Sequence, residues 1–557
     1  MKDKIKTYGF ILLIAVIVSI PLFSNRFNIY ADDGIQHVCR LIGTWSSICE
    51  GQLFPVIMSH FCNNFGYSWN LFYSPITAVV PLIFHFITKS FALDLKIFMV
   101  LVSFLSGITM YKFIYSICKN KYAGLIGAVI YICAPYRLTD MYIRIAVAEL
   151  TSFVFLPMIF QGLYQIFNKE GKHPEILLII GSAGIVLSHT VIAMYTAILA
   201  FIYVIINIKK MKNKDIIIKL IISIIFIIGI ISFFVISLTE QKMSANYEVF
   251  KDGRMERQEV LVYYKLDPID LLYTSNSRMV FDVGIITIIG IVLTPFSIKM
   301  IDKKDKAIYL FSLIVGIISI IMTLKIFPFE KLPSILKMLQ FSFRMLEFSS
   351  FFFALVVAIN FKNLIKDFKF KDVLILSTLI ILLIIPMMIN NFPYTTKMVD
   401  EKSLIPAVKV TANTGRVHAG CASFEYLPTK AFEHMDYIIS REDKAIVIEG
   451  NANIEKEEKQ GTNLKFTLKD ANEGAKIELP YIYYAGYSLK INGVDKTLNI
   501  QESENGFVQI ELDKSLENAE VIVSYDGTIA MKISTIISFA SIIAFIIYAI
   551  LLRKKSN

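Results

Sequence analysis

The 557-residue chain is short of charge, of helix breakers and of tryptophan: Asp, Glu, Lys and Arg make up 18% of it, beside 16 Pro, 26 Gly and 2 Trp. Soluble domains carry about 25% charged residues, so the shortage argues against a soluble enzyme, a disordered scaffold and a nucleic-acid-binding protein. Catalytic signatures are missing as well. No Walker A loop, Rossmann glycine fingerprint, HExxH or GxSxG occurs, which removes the usual marks of ATP-driven and hydrolase chemistry. The six cysteines, Cys39, Cys49, Cys62, Cys118, Cys133 and Cys421, show no metal-ligand spacing. The first three fall in one stretch that admits a disulfide, although unpaired thiols fit it better. What abounds is apolar: 55% hydrophobic residues, 43 Phe and a mean hydropathy of +0.59. The composition is that of a polytopic membrane protein.

A spanning helix needs about 17 to 25 mostly apolar residues, because the hydrocarbon core is about 30 Å thick and each helical residue rises about 1.5 Å. Twelve runs are candidates, from Tyr8–Phe23 to Ile529–Leu552, among them Tyr122–Pro135, Leu150–Phe167, Glu175–Ser188, Val191–Ile208, Val283–Ile298 and Met345–Phe361. Basic residues decide the threading. Clusters at Lys2–Lys6, Lys112–Lys121, Lys169–Lys172, Lys209–Lys219, Lys299–Lys306, Lys362–Lys371 and Arg553–Lys555 belong on the cytoplasmic side. Twelve spans, with a turn at Ser188-His189-Thr190, put every cluster on one face and both termini inside. Reading 175–208 as one helix breaks that parity. The same parity makes Pro75–Ile87 an interfacial or re-entrant segment within a long first outer loop, 24–92. No small-residue cleavage site follows the first helix, which is expected to stay uncleaved.

The expected organisation is a mostly α, polytopic transmembrane domain over 1–390 with a second large outer loop at 239–282, an outer module at 391–528, and a last helix with a basic tail at 529–557. The outer module is polar and alternates with period two at 444–449, 463–468, 506–512 and 520–525, with Asn492-Gly493 and Asp526-Gly527 as turns. That pattern predicts an antiparallel β-sandwich or jelly-roll-like fold. The formal charge of +10 then divides into a positive inner face and a net acidic outer one.

Candidate chemistry lies at the outer ends of the helices. Asp32 and Asp33 form an acidic pair just beyond the first helix, where carboxylates serve as a general base or hold a divalent cation. On a helix starting there, Asp33, His37 and Arg40 share one face; the alternative makes Asp33 no more than an N-cap eased by Gly34. The next outer segment carries Tyr136, Arg137, Asp140, Arg144 and Glu149. Charges entering a span are costly and usually face a cavity or a partner, and the arginine fork suits phosphate; the alternative is a snorkelling Arg with a buried ion pair. His189 at a hairpin tip reads more simply as a hydrogen-bonded structural residue. Arg344 and Glu347 are spaced to pair with each other, or Arg344 faces an anionic headgroup.

The stretches Asp33-Gly-Ile-Gln-His37-Val-Cys-Arg40-Leu, Gly66-Tyr67-Ser68-Trp69-Asn70-Leu71-Phe72-Tyr73-Ser74-Pro75, Pro135-Tyr136-Arg137-Leu138-Thr139-Asp140-Met141-Tyr142-Ile143-Arg144 with Ala148-Glu149, Ser188-His189, and Glu425-Tyr426-Leu427-Pro428 resemble the bacterial membrane family labelled 6-pyruvoyl-tetrahydropterin-synthase-related. The Pro-Tyr-Arg-Leu-x-Asp-x-Tyr-x-Arg block is its most specific part; Ser74 departs from the second proline common in relatives. Nothing in the sequence supports pterin chemistry, which needs a zinc-binding His set. That family is in turn similar to the glycosyltransferase C (GT-C) superfamily. The resemblance implies a GT-C-like enzyme of the bacterial plasma membrane that takes a sugar from a polyprenyl-phosphate-linked donor to an extracytoplasmic envelope glycan, teichoic acid or glycolipid. Asp33, with Asp32 as alternate, would be the acidic catalytic group, a base for the acceptor hydroxyl, or would hold Mg or Mn. Arg137, Arg144 and Arg344 would hold the lipid phosphate, and the Trp69–Ile87 stretch the lipid tail. Two other readings differ in their marks: a transporter or flippase of lipid-linked saccharides needs paired discontinuous helices and polar midplane residues, and a non-catalytic scaffold needs none of these charges.

Overall fold

The computed structural model describes residues 2–24, 27–52, 55–251, 258–272, 279–390 and 424–556. Part of the expected outer module, 391–423 with Cys421, and parts of the outer loop 239–282 therefore lie outside the described residues.

Among the described residues eight helices are long and apolar enough to cross a membrane, and a ninth span arises if Lys121–Ile132 and Pro135–Arg144, bent by 46° at their junction, are taken together. The twelve expected runs all contain helix, but Pro174–Val186 with 13 residues and Ile285–Val292 with 8 are shorter than a full crossing, and Thr190–Ile206 with 17 only just reaches one. Apolar composition had been counted beyond the points where backbone geometry ends these helices: the chain breaks at 187–189, and Pro295 opens a separate turn after Leu293. The break at 187–189 leaves two helices where a single long one was the alternative reading. The 75–87 stretch folds as the helix Ile76–Thr88, with Thr77, Ala78, Pro81, Leu82 and His85 buried and Val79, Ile83, Phe86 and Ile87 exposed. A short helix with one apolar face open suits the edge of the bilayer.

Burial sorts the helices. In Val147–Asn168 and Ser342–Leu364, 89% and 94% of the most apolar window is buried by protein, against 6% in Ile529–Lys554. The last helix therefore meets its surroundings almost all round, through side chains such as Ile533, Ile536 and Ile543. The two most enclosed helices carry Glu149 near the start of one and Arg344 and Glu347 near the start of the other. Charges placed there are sheltered from lipid by the rest of the bundle.

Among the described residues nine antiparallel strands form two facing sheets before the last helix. They are β1 (Ile446–Glu449), β2 (Asn453–Gln460), β3 (Asn463–Ala471), β4 (Lys476–Ile482), β5 (Tyr487–Ile491), β6 (Val494–Asp495), β7 (Ile500–Glu502), β8 (Phe507–Glu511) and β9 (Leu516–Tyr525). One sheet runs β1-β4-β8-β7 and the other β2-β3-β9-β5-β6, a sandwich as the alternation predicts. Leu464, Phe466, Leu468, Ile477, Leu479, Leu489, Val508, Ile510, Val521 and Val523 fill the space between them. Asn492 and Gly493, at φ 50° and 77°, join β5 to β6, the left-handed pair a two-residue hairpin needs. Asp526-Gly527 instead leads from β9 into the last helix. Strand β4 breaks the alternation, with six of its seven residues buried, because its second face packs on the helical domain: the Ile482 N–H donates to the Phe65 carbonyl at 2.8 Å.

Candidate active site

Two backbone irregularities build the site. After the first helix the chain turns through Asp32 at φ 44°, and the helix Gly34–Cys49 begins at once. Only glycine fits at 34, where an added Cβ would lie 1.8 Å from the Ile29 carbonyl oxygen. Asp33 occupies the N-cap position, yet its side chain caps nothing. Its N–H donates instead to the Arg144 carbonyl at 3.1 Å. The simple capping role is thereby set aside. The second irregularity follows Pro135: one helical turn to Thr139, a π turn over Asp140–Arg144, then Ile145 in left-handed conformation before the helix Val147–Asn168 starts. Single π turns are uncommon and often mark functional sites. This one folds Arg144 back over its own segment.

Arg144 Nη1 donates to the Tyr136 hydroxyl at 3.1 Å, to Glu149 at 3.0 Å and to Asp140. Arg344, in the 3-10 turn Ser342–Arg344, reaches the same Glu149 oxygen through Nε at 3.1 Å and spends Nη1 on the Leu339 carbonyl and Gln340 at 3.0 and 2.8 Å. The expected Arg344–Glu347 pair is absent, because Glu149 takes the guanidinium and Glu347 accepts from Ser152 instead. Tyr136 also donates to Glu149. Glu149 is thus the hub of two guanidiniums and a phenol, at 1% exposure. Phe341 and Phe343, stacked at 5.1 Å, lie beneath both cations, with Arg144 4.9 Å from the Phe343 centroid and Arg344 4.9 Å from that of Phe341. Arg144 and Arg344 are both buried, and among the described residues Arg144 Nε and Nη2 and Arg344 Nη2 have no acceptor.

Asp33 is exposed, although protein walls crowd it. That crowding pushes its carboxyl above the ordinary carboxylate range; Arg144 pulls it down, Asp32 pushes it up and Arg344 again pulls it down. Among the described residues no side chain donates to this carboxylate. His37 and His189 flank the arrangement and are both neutral, held down to about 3, His37 by burial and then Arg40, His189 by burial and then Arg344. His189 caps the helix Thr190–Ile206, its Nδ1 accepting from the Ile192 N–H at 3.3 Å. Its one proton therefore sits on Nε2, a donor near Arg344 and Glu149.

Arg40 and Arg137 stand outside the cluster. Arg40 is 1% exposed and among the described residues has no carboxylate partner. Its guanidinium binds Asn70 at 2.9 Å, Thr77 at 3.0 Å and the Tyr73 and Ser74 carbonyls at 3.2 and 2.9 Å, with the Tyr73 ring at 5.0 Å. Arg137 turns into the bundle, to the Ile132 carbonyl and Ser103 at 3.1 and 2.9 Å. Two tyrosines not expected from the sequence complete the walls. Tyr73 lies 6.0 Å from His37, and burial followed by Asp33 pushes its hydroxyl up. Tyr426 stacks on Phe72 at 5.3 Å and feels the charges of Arg40 and Asp33. Both lie in the motif stretches quoted above, which was the available signal. Trp69, at the head of the stretch expected to cradle a lipid tail, is buried. Cys39 and Cys62 are buried and Cys49 exposed. Among the described residues no three His, Cys, Asp or Glu converge as a metal set.

Structures of similar shape include the Archaeoglobus fulgidus oligosaccharyltransferase in the apo form, at 12% identity and TM-score 0.44, over 79% of this chain and 58% of that one. A second is the archaeal oligosaccharyltransferase AglB from Archaeoglobus fulgidus in complex with an inhibitory peptide and a dolichol-phosphate, at 12% identity and TM-score 0.38, over 78% and 58%. Likeness at that level says nothing about chemistry. An uncharacterized protein of Lactococcus lactis subsp. cremoris (strain MG1363) is 27% identical over 347 residues, 59% of this chain and 55% of that protein, so the match spans about half of the relative's length. A family model described as 6-pyruvoyl-tetrahydropterin synthase related domain, membrane protein, matches residues 71–396, more than half of the chain and the segment that holds Arg144, Glu149 and Arg344. The chain belongs to this family of membrane proteins.

Proposed function

We propose that the chain is a GT-C-type membrane glycosyltransferase that moves a sugar from a polyprenyl-phosphate-linked donor to an extracytoplasmic envelope glycan, teichoic acid or glycolipid, with both termini cytoplasmic and the sandwich outside. One observation carries the reading: two guanidiniums fixed on a shared carboxylate keep N–H groups that no described residue takes, near an exposed carboxylate that no described side chain engages. Arg144 and Arg344 receive the donor phosphate. Asp33 accepts the proton of the acceptor hydroxyl as its oxygen attacks the anomeric carbon. The bond from that carbon to the phosphate oxygen breaks, and its electron pair leaves on the lipid phosphate. Negative charge grows where the arginines already point, so their orientation costs nothing at the moment of reaction. His189 Nε2–H, Tyr73 and Tyr426 offer neutral polar groups for sugar hydroxyls.

Mg²⁺ is commonly held by one or two carboxylates together with substrate phosphate, and Asp32 and Asp33 supply that partial set; a bound cation would add charge neutralisation at the phosphate. The transporter reading has one feature in its favour, the bent pair at Pro135, but among the described residues a second bent pair is lacking. The test is Asp33→Asn in proteoliposomes with a polyprenyl-phosphate sugar. Transfer is expected to vanish while protein level and melting hold, and EDTA is expected to lower wild-type transfer until Mg²⁺ or Mn²⁺ returns. Undiminished transfer by Asp33→Asn would sink the assignment.

A further inference from the structure

Residues Cys62, Asn63 and Asn64 have φ of 52°, 59° and 68°. Three successive non-glycine residues in the left-handed region do not hold that shape unaided; surrounding contacts must over-determine it. Here the contacts come from the β-sandwich and from the short helix Met435–Ser440 just before it. Asn63 Nδ2 donates to the Ile438 carbonyl at 3.2 Å, Lys459 Nζ to the Asn64 carbonyl at 2.7 Å, and the Ile482 N–H to the Phe65 carbonyl at 2.8 Å. The Phe65 ring, fully buried, lies between two cations, Arg441 at 5.2 Å and Lys459 at 5.5 Å, with Phe507 edge-on at 5.1 Å. Arg441 is itself fixed by Glu478 at 3.0 Å, which also accepts from Tyr437 and Ser503, both at 2.7 Å.

The chain leaves this grip with little freedom. Met58 and Tyr67 exchange backbone hydrogen bonds at 3.0 and 3.1 Å. The Tyr67 hydroxyl accepts from the Tyr426 N–H at 3.1 Å. Trp69–Phe72 then forms one helical turn, and Arg40 binds Asn70, Tyr73 and Ser74. Phe65 and Tyr73 are thus the two ends of one short, braced segment. We propose that Phe65, held between Arg441 and Lys459, is a positioning residue, through which the sandwich sets where Trp69–Tyr73 stand at the active site. The proposal rests on the glycosyltransferase reading for its kinetic consequence only.

Trp45→Phe leaves Trp69 as the sole tryptophan of the full-length chain. Trp69 is 2% exposed and its indole N–H has no acceptor among the described residues, so its emission lies to the blue and shifts red once water reaches it. In that background Phe65→Leu, which keeps apolar bulk and removes the ring, is expected to shift Trp69 emission to the red and raise iodide quenching. It is also expected to lower kcat about tenfold or more with KM little changed, since misplacements of about 1 Å cost about 10²-fold. Phe65→Tyr restores both, and Arg441→Gln repeats the loss from the sandwich side. Emission unmoved in Phe65→Leu and Arg441→Gln overturns the proposal, whatever transfer does. A red shift with unchanged kcat, in protein that transfers sugar, overturns the positioning role. Protein with no transfer activity at all counts against the glycosyltransferase reading and leaves the emission result to decide this one.

Discussion

Glu149→Gln separates the charge of the hub from its shape. The side chain keeps its length, and an amide can still place its oxygen toward Arg144 and Arg344 and its NH₂ toward the Tyr136 oxygen. What disappears is the negative charge on which Arg144 Nη1 and Arg344 Nε converge at 3.0 and 3.1 Å. A buried hydrogen bond to a charged group contributes about 1.5–3 kcal/mol and a neutral one about 1, so the two bonds together lose about 1–4 kcal/mol. Arg144 still has Asp140, but Arg344 is left without a carboxylate partner among the described residues. Breaking a buried pair in that way costs about 3–5 kcal/mol, which places the loss of stability near 3 kcal/mol. Phosphate should respond in the opposite sense. At about 7 Å and an effective dielectric near 20, one charge removed from beside the phosphate is worth about 2 kcal/mol, so free polyprenyl phosphate is expected to bind about tenfold or more tightly. Turnover should still fall, by about 10²-fold, because the guanidiniums no longer stand where charge develops. Melting in detergent, phosphate affinity and kcat in proteoliposomes are three independent readings. Weaker phosphate binding with unchanged kcat would refute the reasoning, since Glu149 would then be aiding ground-state binding.

In the proposed mechanism Asp33 acts ionised, and its surroundings push its carboxyl up; the acid limb of kcat/KM is therefore expected above the usual carboxylate range of about 4, with transfer lost as pH falls through it. A carboxyl raised in the fold contributes stability at low pH that is lost as pH rises through the folded value. Asp33→Asn should thus melt at or above the wild-type temperature near neutrality, and the two melting curves should converge in acid. His189 runs the other way: its value in the fold, about 3, lies below the ordinary 6.5, so the stability it contributes is complete above pH 6.5 and falls away as pH drops toward 3, a slope that His189→Gln should flatten in melting curves at graded pH. Arg40→Lys keeps the charge and loses the planar fork that binds four groups; lower melting and a drop in kcat/KM of about tenfold are expected from two lost charge-assisted bonds, and unchanged kinetics would detach Tyr73 from the site.

The layout was legible where a single physical rule governs many residues. Long apolar runs mark the membrane helices, period-two alternation marks the sandwich strands, and Asn492-Gly493 marks its tight hairpin. The number of full crossings was less so. Apolar composition does not say where a helix stops, and Pro174–Val186 and Ile285–Val292 are short because the turns that end them come from backbone geometry. Strand β4 carried no period-two signal, since a strand buried on both faces loses its alternation when a second domain covers it.

At the site, residue type was legible and direction was not. Asp33, Arg144, Glu149 and Arg344 stood out because charges at the ends of apolar helices need a reason to be there. Which of them meet depends on features without a sequence signal. The π turn at Asp140–Arg144 decides that Arg144 folds back on its segment while Arg137, seven residues earlier, turns into the bundle. The Arg344–Glu149 pair joins residues 195 apart, and it defeats the local Arg344–Glu347 pairing that helical spacing suggests. Local spacing is a poor guide inside such a bundle for an energetic reason. A buried guanidinium takes whichever carboxylate leaves the fewest polar groups unsatisfied, and Glu149 can serve Arg144, Arg344 and Tyr136 together. A cluster arranged around one shared anion also leaves its cations part of their hydrogen-bonding capacity, and the charges of both cations act on the carboxyl of Asp33.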